Sequence, residues 1–557
     1  MKNEKQRKTL GATQLDRRQF MRLTVMGAGA TALLAACAVP TETPAGGDTG
    51  AAASGAGEAA AGGGTMVWLG HQEVASLSPD DDGPDIQYVM IRNIHSPVVY
   101  YNEFNEPEAV LADSYEVADD GLTYTFNLKQ GVLFHDGKEL TSADVKYTWD
   151  YYRNPDNAAV SVGDFEGVDS IDTPDDYTVV VNMSSVNAAS LANWAEFCIV
   201  QSEYHAEIGE DAYKAAPIGT GPYKLKEWRA AEFTELEAFD DYFMGRPSID
   251  VVRLDVVPED SVRMIALQTG DADSSAWPLL VEDSLTLMDD PNFTVYSTPG
   301  NSIKHFPLNN TLPQLSDKMV RKALLHALDR QRIIDDLWSG TAQVAHSNIS
   351  PSSYYYRDDL PQYEYDPEKA AAMLDEAGWT AGDDGIREKD GQKLSFTCTT
   401  ITGDQARRPI AELVQLMLSE VGVDMQLAEA PVASILEGMR AGTMDASLFN
   451  WTYCTNAVEP DPFSTLHSDG GNNFCNFKND RMDELIEQGL QIVDPAERKP
   501  LYDELQAIFV DEVPCLFLQF DNWLIPFSNR IQGLPVDPTA STSYYMRAST
   551  WTLSGNG

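Results

Sequence analysis

From Thr65 onward, runs of alternating apolar residues take turns with capped runs of helical period, and that alternation confines the chain to a mixed α/β fold. “TMVWLG” opens the body as a short apolar strand, and in “LTYTFNLKQGVLFHDGKEL” Tyr124, Phe126 and Leu128 alternate before the turn residues Gly131 and Asp136-Gly137, which reads as a hairpin. Thr141-Ser142-Ala143-Asp144 has the form of a capping box with Asp in place of Glu or Gln, starting a helix through “VKYTWDYYRN”. “DYTVVVNM” is a β-branched strand. “DKMVRKALLHALDRQRIIDDLW” sets Val320, Ala323, Leu324, Ala327 and Leu328 at helical spacing. Asp366-Pro367 and Asp494-Pro495 are helix starts, and Gly378 and Gly422 close helices. “LSFTCTTIT” and “MQLAEA” are strands.

The N-terminal residues have a different character. Arg17-Arg18 precede an apolar run, Val25 to Ala36, that is too short to span a bilayer, the layout of an export signal over residues 1–36. The pattern resembles a twin-arginine signal, with an ordinary secretory signal as the alternative. Leu34-Ala35-Ala36-Cys37 resembles a bacterial lipobox, which implies cleavage before Cys37 and lipidation of its thiol. Residues 37–64 then read as the lipidated Cys followed by a linker almost all Ala, Gly, Thr, Ser and Pro, without Lys or Arg. Such a segment buries too little apolar surface to offset chain entropy and serves as a flexible tether. The expectation is a protein lipid-anchored at the extracytoplasmic face of a bacterial membrane.

With 39 basic and 86 acidic residues, a formal net charge of −47, the chain repels nucleic acid and anionic lipid. Apart from Cys37, the cysteines are Cys198, Cys398, Cys454, Cys475 and Cys515, without zinc-type spacing. Cys454 and Cys475 bracket a Pro/Gly/Asn-rich loop and are the first choice for a disulfide. Gly-x-Ser-x-Gly, His-Glu-x-x-His, a P-loop and Gly-x-Gly-x-x-Gly do not occur, so neither a catalytic centre, a metal site nor a cofactor is expected. An extracellular glycosidase using some acidic pair is the competing class, and no motif calls for it.

One stretch invites a ligand. “NWTYCTN”, Asn450 to Asn456, puts the rings of Trp451 and Tyr453 between amides, a mixture suited to a pocket for sugars or peptides as well as to a buried strand. A family resemblance bears on the choice. “YTFNLKQGVLFHDGKELTSADVKYTWD”, “IDTPDDYTVVVNM”, “APIGTGPYKLKEW”, “IALQTGDADSSAWPL”, “VRKALLHALDRQRII”, “YDPEKAAAMLDEAGW”, “NNFCNFKNDRMDELIEQG” and “LYDELQAIFVDEVPCLFLQF” resemble, in order, family 5 extracellular solute-binding proteins, the peptide, nickel and oligosaccharide-type receptors of ABC importers.

The resemblance implies a two-lobed α/β fold of the periplasmic-binding-protein type II class (cluster C), with an extra subdomain in the first lobe, closing around solute like a hinged trap. Lobe I would comprise residues 65–100, 210–302 and 525–557, the inserted subdomain 101–209 and lobe II 303–524. The partners implied are a small solute and the transmembrane subunits of an ABC permease, with the receptor itself a monomer. In this resemblance Trp451 matches a Trp that peptide-binding members carry, and Cys454 stands where their Asp receives the peptide's amino group. A neutral oligosaccharide is therefore favoured over an oligopeptide, with a nickel chelate third, and Asn450, Trp451, Tyr453 and Asn456 line the site. Trp277, His71, Gln72, Tyr354 and Asn301 are further pocket candidates, with His305 beside the crossing between lobes.

Overall fold

The computed structural model describes residues 63–80, 86–102, 106–157, 159–195, 197–404, 406–452, 462–536, 538 and 543–554. The export signal, Cys37, nearly all of the linker, and Tyr453, Cys454 and Asn456 lie outside the described residues.

Two long strands, Phe293–Pro307 and Cys515–Ser528, pair antiparallel and form the spine of a nine-stranded sheet. On one side of this pair the sheet adds Phe449–Thr452, and on the other it runs through Ser274–Ser275, Thr65–Gly70, Val251–Val256, Phe233–Ala238 and Tyr223–Arg229, while the short strand Ala342–Val344 pairs with Gln519 to Asp521 of the second long strand. “TMVWLG” is thus an inner strand with parallel neighbours on both sides, which suits its near-continuous apolar character. The pairing of the two long strands loses register between Pro299 and Ile303 and again between Lys304 and His305. There the chain passes from one apolar core to another.

The cores are distinct. One gathers Met66, Trp68, Ile94, Tyr223, Leu254, Ile525 and Trp551, and another runs from Ile303 to Phe520. A third, drawn from Val98 to Ile199, lies against the antiparallel sheet Ala112–Val117, Thr123–Leu128, Thr178–Met183 and Val168–Asp175. In the second, Ser395–Ile401 pairs parallel with Asp424–Ala430 and Ala446–Ser447, linked by helices Arg407–Glu420 and Val432–Arg440, a βαβαβ unit. This is a mixed α/β, two-lobed arrangement. Residues 543–554 return to the first core, where Trp551 meets Trp68 edge-on at 6.4 Å and Phe527 at 5.6 Å. Among the described residues no helix is long and apolar enough to cross a membrane.

Local signals translate directly. Thr141 N donates to Asp144 Oδ2 at 2.9 Å, completing the box before helix Ser142–Tyr152. Asp366 and Asp494 cap helices Pro367–Glu376 and Pro495–Glu512. Two expectations change. After Leu128 there is no second hairpin strand; Leu133 and Glu139 form a lone bridge around the Asp136-Gly137 turn, because Thr123–Leu128 already has Ala112–Val117 and Thr178–Met183 as neighbours. The segment of helical spacing at 317–338 folds as two helices, Lys318–His326 and Arg330–Trp338. Asp329, a poor interior residue and a good cap, accepts from Arg332 N at 3.0 Å, and buried Arg330 donates to the carbonyls of Tyr363 and Phe517.

Candidate functional site

The stretch 299–305 of the first long strand collects most of the residues singled out by sequence. On one side Ile303 pairs with Trp451 and Lys304 with Asn450. Asn450 Nδ2 donates to Ser302 Oγ at 3.3 Å, and the Trp451 ring meets Phe474 edge-on at 5.6 Å. On the other side Gly300 lies against Trp523, whose indole would be 2.7 Å from a Cβ placed there, so only glycine allows that approach. Trp523 continues into a row of rings: Trp277 at 5.0 Å, then His71 at 5.0 Å from Trp277. Gln72 Nε2 lies 2.7 Å from His71 Nε2.

His71, Gln72 and Trp277 therefore form one group, and Asn450 and Trp451 a second, with the same strand between them. Tyr354 stands apart, 55% exposed and edge-on to Tyr355, while Tyr355 is a core residue receiving a hydrogen bond from Arg498 Nε at 2.8 Å. Its loop touches the crossing through Ser350 Oγ, which donates to the Gly300 carbonyl at 2.9 Å. Asn301 lies within the irregular stretch, with only its backbone described. His305 is buried beside Ile303, and burial pushes its pKa down to about 4, so it is neutral. A cavity of about 30 Å³, room for a water or two, is lined by Ile303, His305, Asn348, Trp451, Phe474 and Cys475 among others. Cys475 carries a free thiol, and Cys454, its expected partner, lies outside the described residues.

Charged residues that the sequence reading missed complete the site. Arg407 Nη2 donates to Asn450 Oδ1 at 3.1 Å, its Nη1 pairs with Asp404, and its buried Nε has no hydrogen-bond partner among the described residues. Lys304, 6% exposed, pairs with Asp521 and lies 4.9 Å from the Trp338 ring. Burial and, second, the Arg407 charge push Lys304 down to about 7, while the Asp404 carboxylate acts the other way. A signal for Arg407 existed: two arginines open helix Arg407–Glu420, where the helix dipole makes positive charge unfavourable. Among the described residues no group of three or more His, Cys, Asp or Glu stands ready for a metal ion.

Comparison with known proteins places this arrangement. Residues 106–474 match the family model described as “Bacterial extracellular solute-binding proteins, family 5 Middle”. The oligopeptide-binding protein AppA of Bacillus subtilis is 30% identical over 473 residues, spanning 83% of this chain and 86% of that protein. Its structure in complex with a nonapeptide superposes with a TM-score of 0.70 at 28% identity, covering 89% of this chain and 99% of that one. The dipeptide-binding protein of Escherichia coli is 28% identical over 459 residues, 77% of this chain and 83% of that protein. NikA of Brucella suis, solved in complex with Fe(III)-EDTA, gives a TM-score of 0.78 at 25% identity over 88% of this chain and 100% of its own.

The preference for an oligosaccharide is corrected by these findings: the relatives are named for peptides or solved with a metal chelate. That preference leaned on one position, Cys454, and overlooked the ion pairs of Arg407 and Lys304, which a neutral sugar does not require. The relatives bind solutes rather than transform them, and the chain is not an enzyme. With the family model covering most of the body and AppA aligned along most of both lengths, the chain belongs to the bacterial extracellular solute-binding proteins, family 5.

Proposed function

We propose that this chain is the extracytoplasmic receptor of an ABC importer and that its solute is an oligopeptide, captured between two lobes and passed to the permease. Lobe I would comprise residues 65–100, 210–302 and 525–557, with 101–209 inserted, and lobe II 303–524. Cys37 would carry the lipid anchor, with the linker as tether and the receptor acting as a monomer. The observation that carries the reading is the convergence on residues 299–305 of aromatic faces, amides and an incompletely paired guanidinium. Rings supply area for side chains of varied shape, amides meet a peptide backbone, and Arg407 suits a carboxylate. Asn450, Trp451, His71, Gln72 and Trp277 would line the site, with Tyr453, Asn456, Asn301 and Tyr354 at its margins. The amino-group partner need not stand at 454, since Glu459 and Asp461 follow in the same stretch of sequence.

The second reading, a metal-chelate receptor, draws on the likeness to NikA with its Fe(III)-EDTA. A thermal-shift series separates the readings, because a ligand bound only by the folded state adds about 2.7 kcal/mol at a hundred times its Kd. Peptides of two to nine residues are expected to raise the midpoint, less so in Trp451→Ala and Arg407→Ala. A rise with nickel or iron chelates alone would move the solute to the second reading. A rise with oligosaccharides alone would refute both.

A further inference from the structure

Cys475 and Cys515 are far apart in sequence and share one place in the fold. Both line the cavity beside Trp451. Asn310 knits their backbones together: its Nδ2 donates to the Cys475 carbonyl at 3.0 Å and to the carbonyl of Pro514 at 2.9 Å, while its own N–H reaches the Cys475 carbonyl at 2.9 Å. Both residues are free thiols, and the Cys475 side chain is in hydrogen-bonding contact with that of Cys515. Arg321, 2% exposed, donates to the carbonyls of Leu315, Glu512 and Val513, and its charge acts on both sulfurs. Cys475 is half-buried in a loop without regular structure, and Cys515, buried in the second core, opens a long strand. Cys398 lies instead in the middle of a strand flanked by parallel neighbours.

We propose that Cys475 and Cys515 form the disulfide of this protein once it is outside the reducing cytoplasm, in place of the pairing of Cys475 with Cys454. Family 5 proteins work in a compartment where such bonds persist. The half-buried Cys475 reacts first: its thiolate attacks one sulfur of a donor disulfide, from a small dithiol-derived oxidant or a protein oxidase, and releases one donor thiol. Cys515 then loses its proton, attacks the Cys475 sulfur and expels the second donor thiol. Two protein thiols are oxidised to one disulfide and one donor disulfide is reduced to two thiols, with nothing left over. Burial, and next the Cys475 side chain, push the Cys515 thiol well up, which makes it the resolving partner, and the Arg321 guanidinium favours its thiolate.

The bond would staple the loop bearing Phe474, the ring behind Trp451, to the strand that carries Trp523. It would fix the wall of the site without touching the solute. The test uses the full chain equilibrated with oxidised glutathione, alkylated, digested without reduction and mapped by mass spectrometry. A cross-linked pair of peptides containing Cys475 and Cys515 is expected, with two fewer titratable thiols per chain. That link should survive in Cys454→Ser. A Cys454–Cys475 link, or alkylation of both Cys475 and Cys515 after oxidation, would overturn the proposal. A second readout guards against misfolded variants: reductant should lower the unfolding midpoint of the wild type by several degrees and leave that of Cys475→Ser unchanged, and an unchanged wild-type midpoint together with free thiols would again overturn it.

Discussion

Arg407 and His305 show how differently single residues declare themselves. Trp451 and Trp277 were legible because large aromatics beside amides or Gly/Asp turns are unusual enough to notice. The ion pairs were harder to see: in a chain with 86 acidic residues a carboxylate three positions before Arg407 does not stand out, and Lys304 and Asp521 come from separate segments. Arg407→Ala is expected to weaken binding of a peptide with a free carboxylate by one to two orders of magnitude, about 1.5 to 3 kcal/mol for a charge-assisted hydrogen bond. Its effect on an amidated peptide should be smaller, and calorimetric titration of the two peptides checks it. His305 predicts a pH response. Its pKa falls from 6.5 to about 4 in the folded state through burial, so between those values only the unfolded chain binds the proton. Stability contributed by neutral His305 is therefore present above pH 6.5 and lost as the pH falls toward 4, by up to about 2 kcal/mol at pH 5. His95, lowered to about 3, and His135, lowered to about 4, act in the same direction through burial. Urea unfolding at pH 7.5 and pH 5 should show a lower midpoint at pH 5, and His305→Asn should narrow the gap.

Elements defined by neighbouring residues were readable; elements defined by distant partners were not. Asp366, Asp494 and Thr141 act within three residues of themselves, so their caps follow from sequence alone. The “LFHDGKEL” segment alternates well enough for a strand, yet the sheet position it would fill is taken by residues some fifty positions onward. The “GTGPY” turn illustrates both halves. Gly and Pro side by side mark a turn in any sequence, but the reason for these glycines lies in helix Ile86–Ile94: a Cβ on Gly221 would sit 2.5 Å from the Asn93 carbonyl oxygen, and one on Gly219 only 2.1 Å from that of Ile94. Gly131 is the contrasting case, with φ +75° and open space around it. Gly131→Ala should cost about 1 kcal/mol from backbone strain alone, whereas Gly221→Ala has no way to avoid a backbone clash and should cost more than about 3 kcal/mol. Denaturant titration of both variants ranks them, and a Gly221→Ala cost no larger than that of Gly131→Ala would contradict the close approach.

At the scale of the whole molecule, the two long strands carry the chain between cores, and their ladder is interrupted between Pro299 and Ile303, where a hinge needs slack. Peptide binding is expected to lower the scattering radius of gyration, about 23 Å for a compact body of this size; a saturating peptide that leaves the scattering curve unchanged would show that capture proceeds without closure. The lobed architecture was readable from the order of family-like segments, while the depth of the join was not. Arg530 bonds the Thr65 carbonyl at 2.7 Å and the Asp273 carboxylate at 2.8 Å, and Trp551 packs on Trp68, so the start and end of the body share one core. Thr65 and Arg530, and Trp68 and Trp551, are separated by almost the entire body. At cellular rates of synthesis the first strand waits roughly half a minute to a minute and a half for Trp551 to be made. Through that interval the nascent protein is an unfinished core: a translocase that threads unfolded polypeptide has time to begin, and one that accepts only folded cargo must wait for the last turn of the chain.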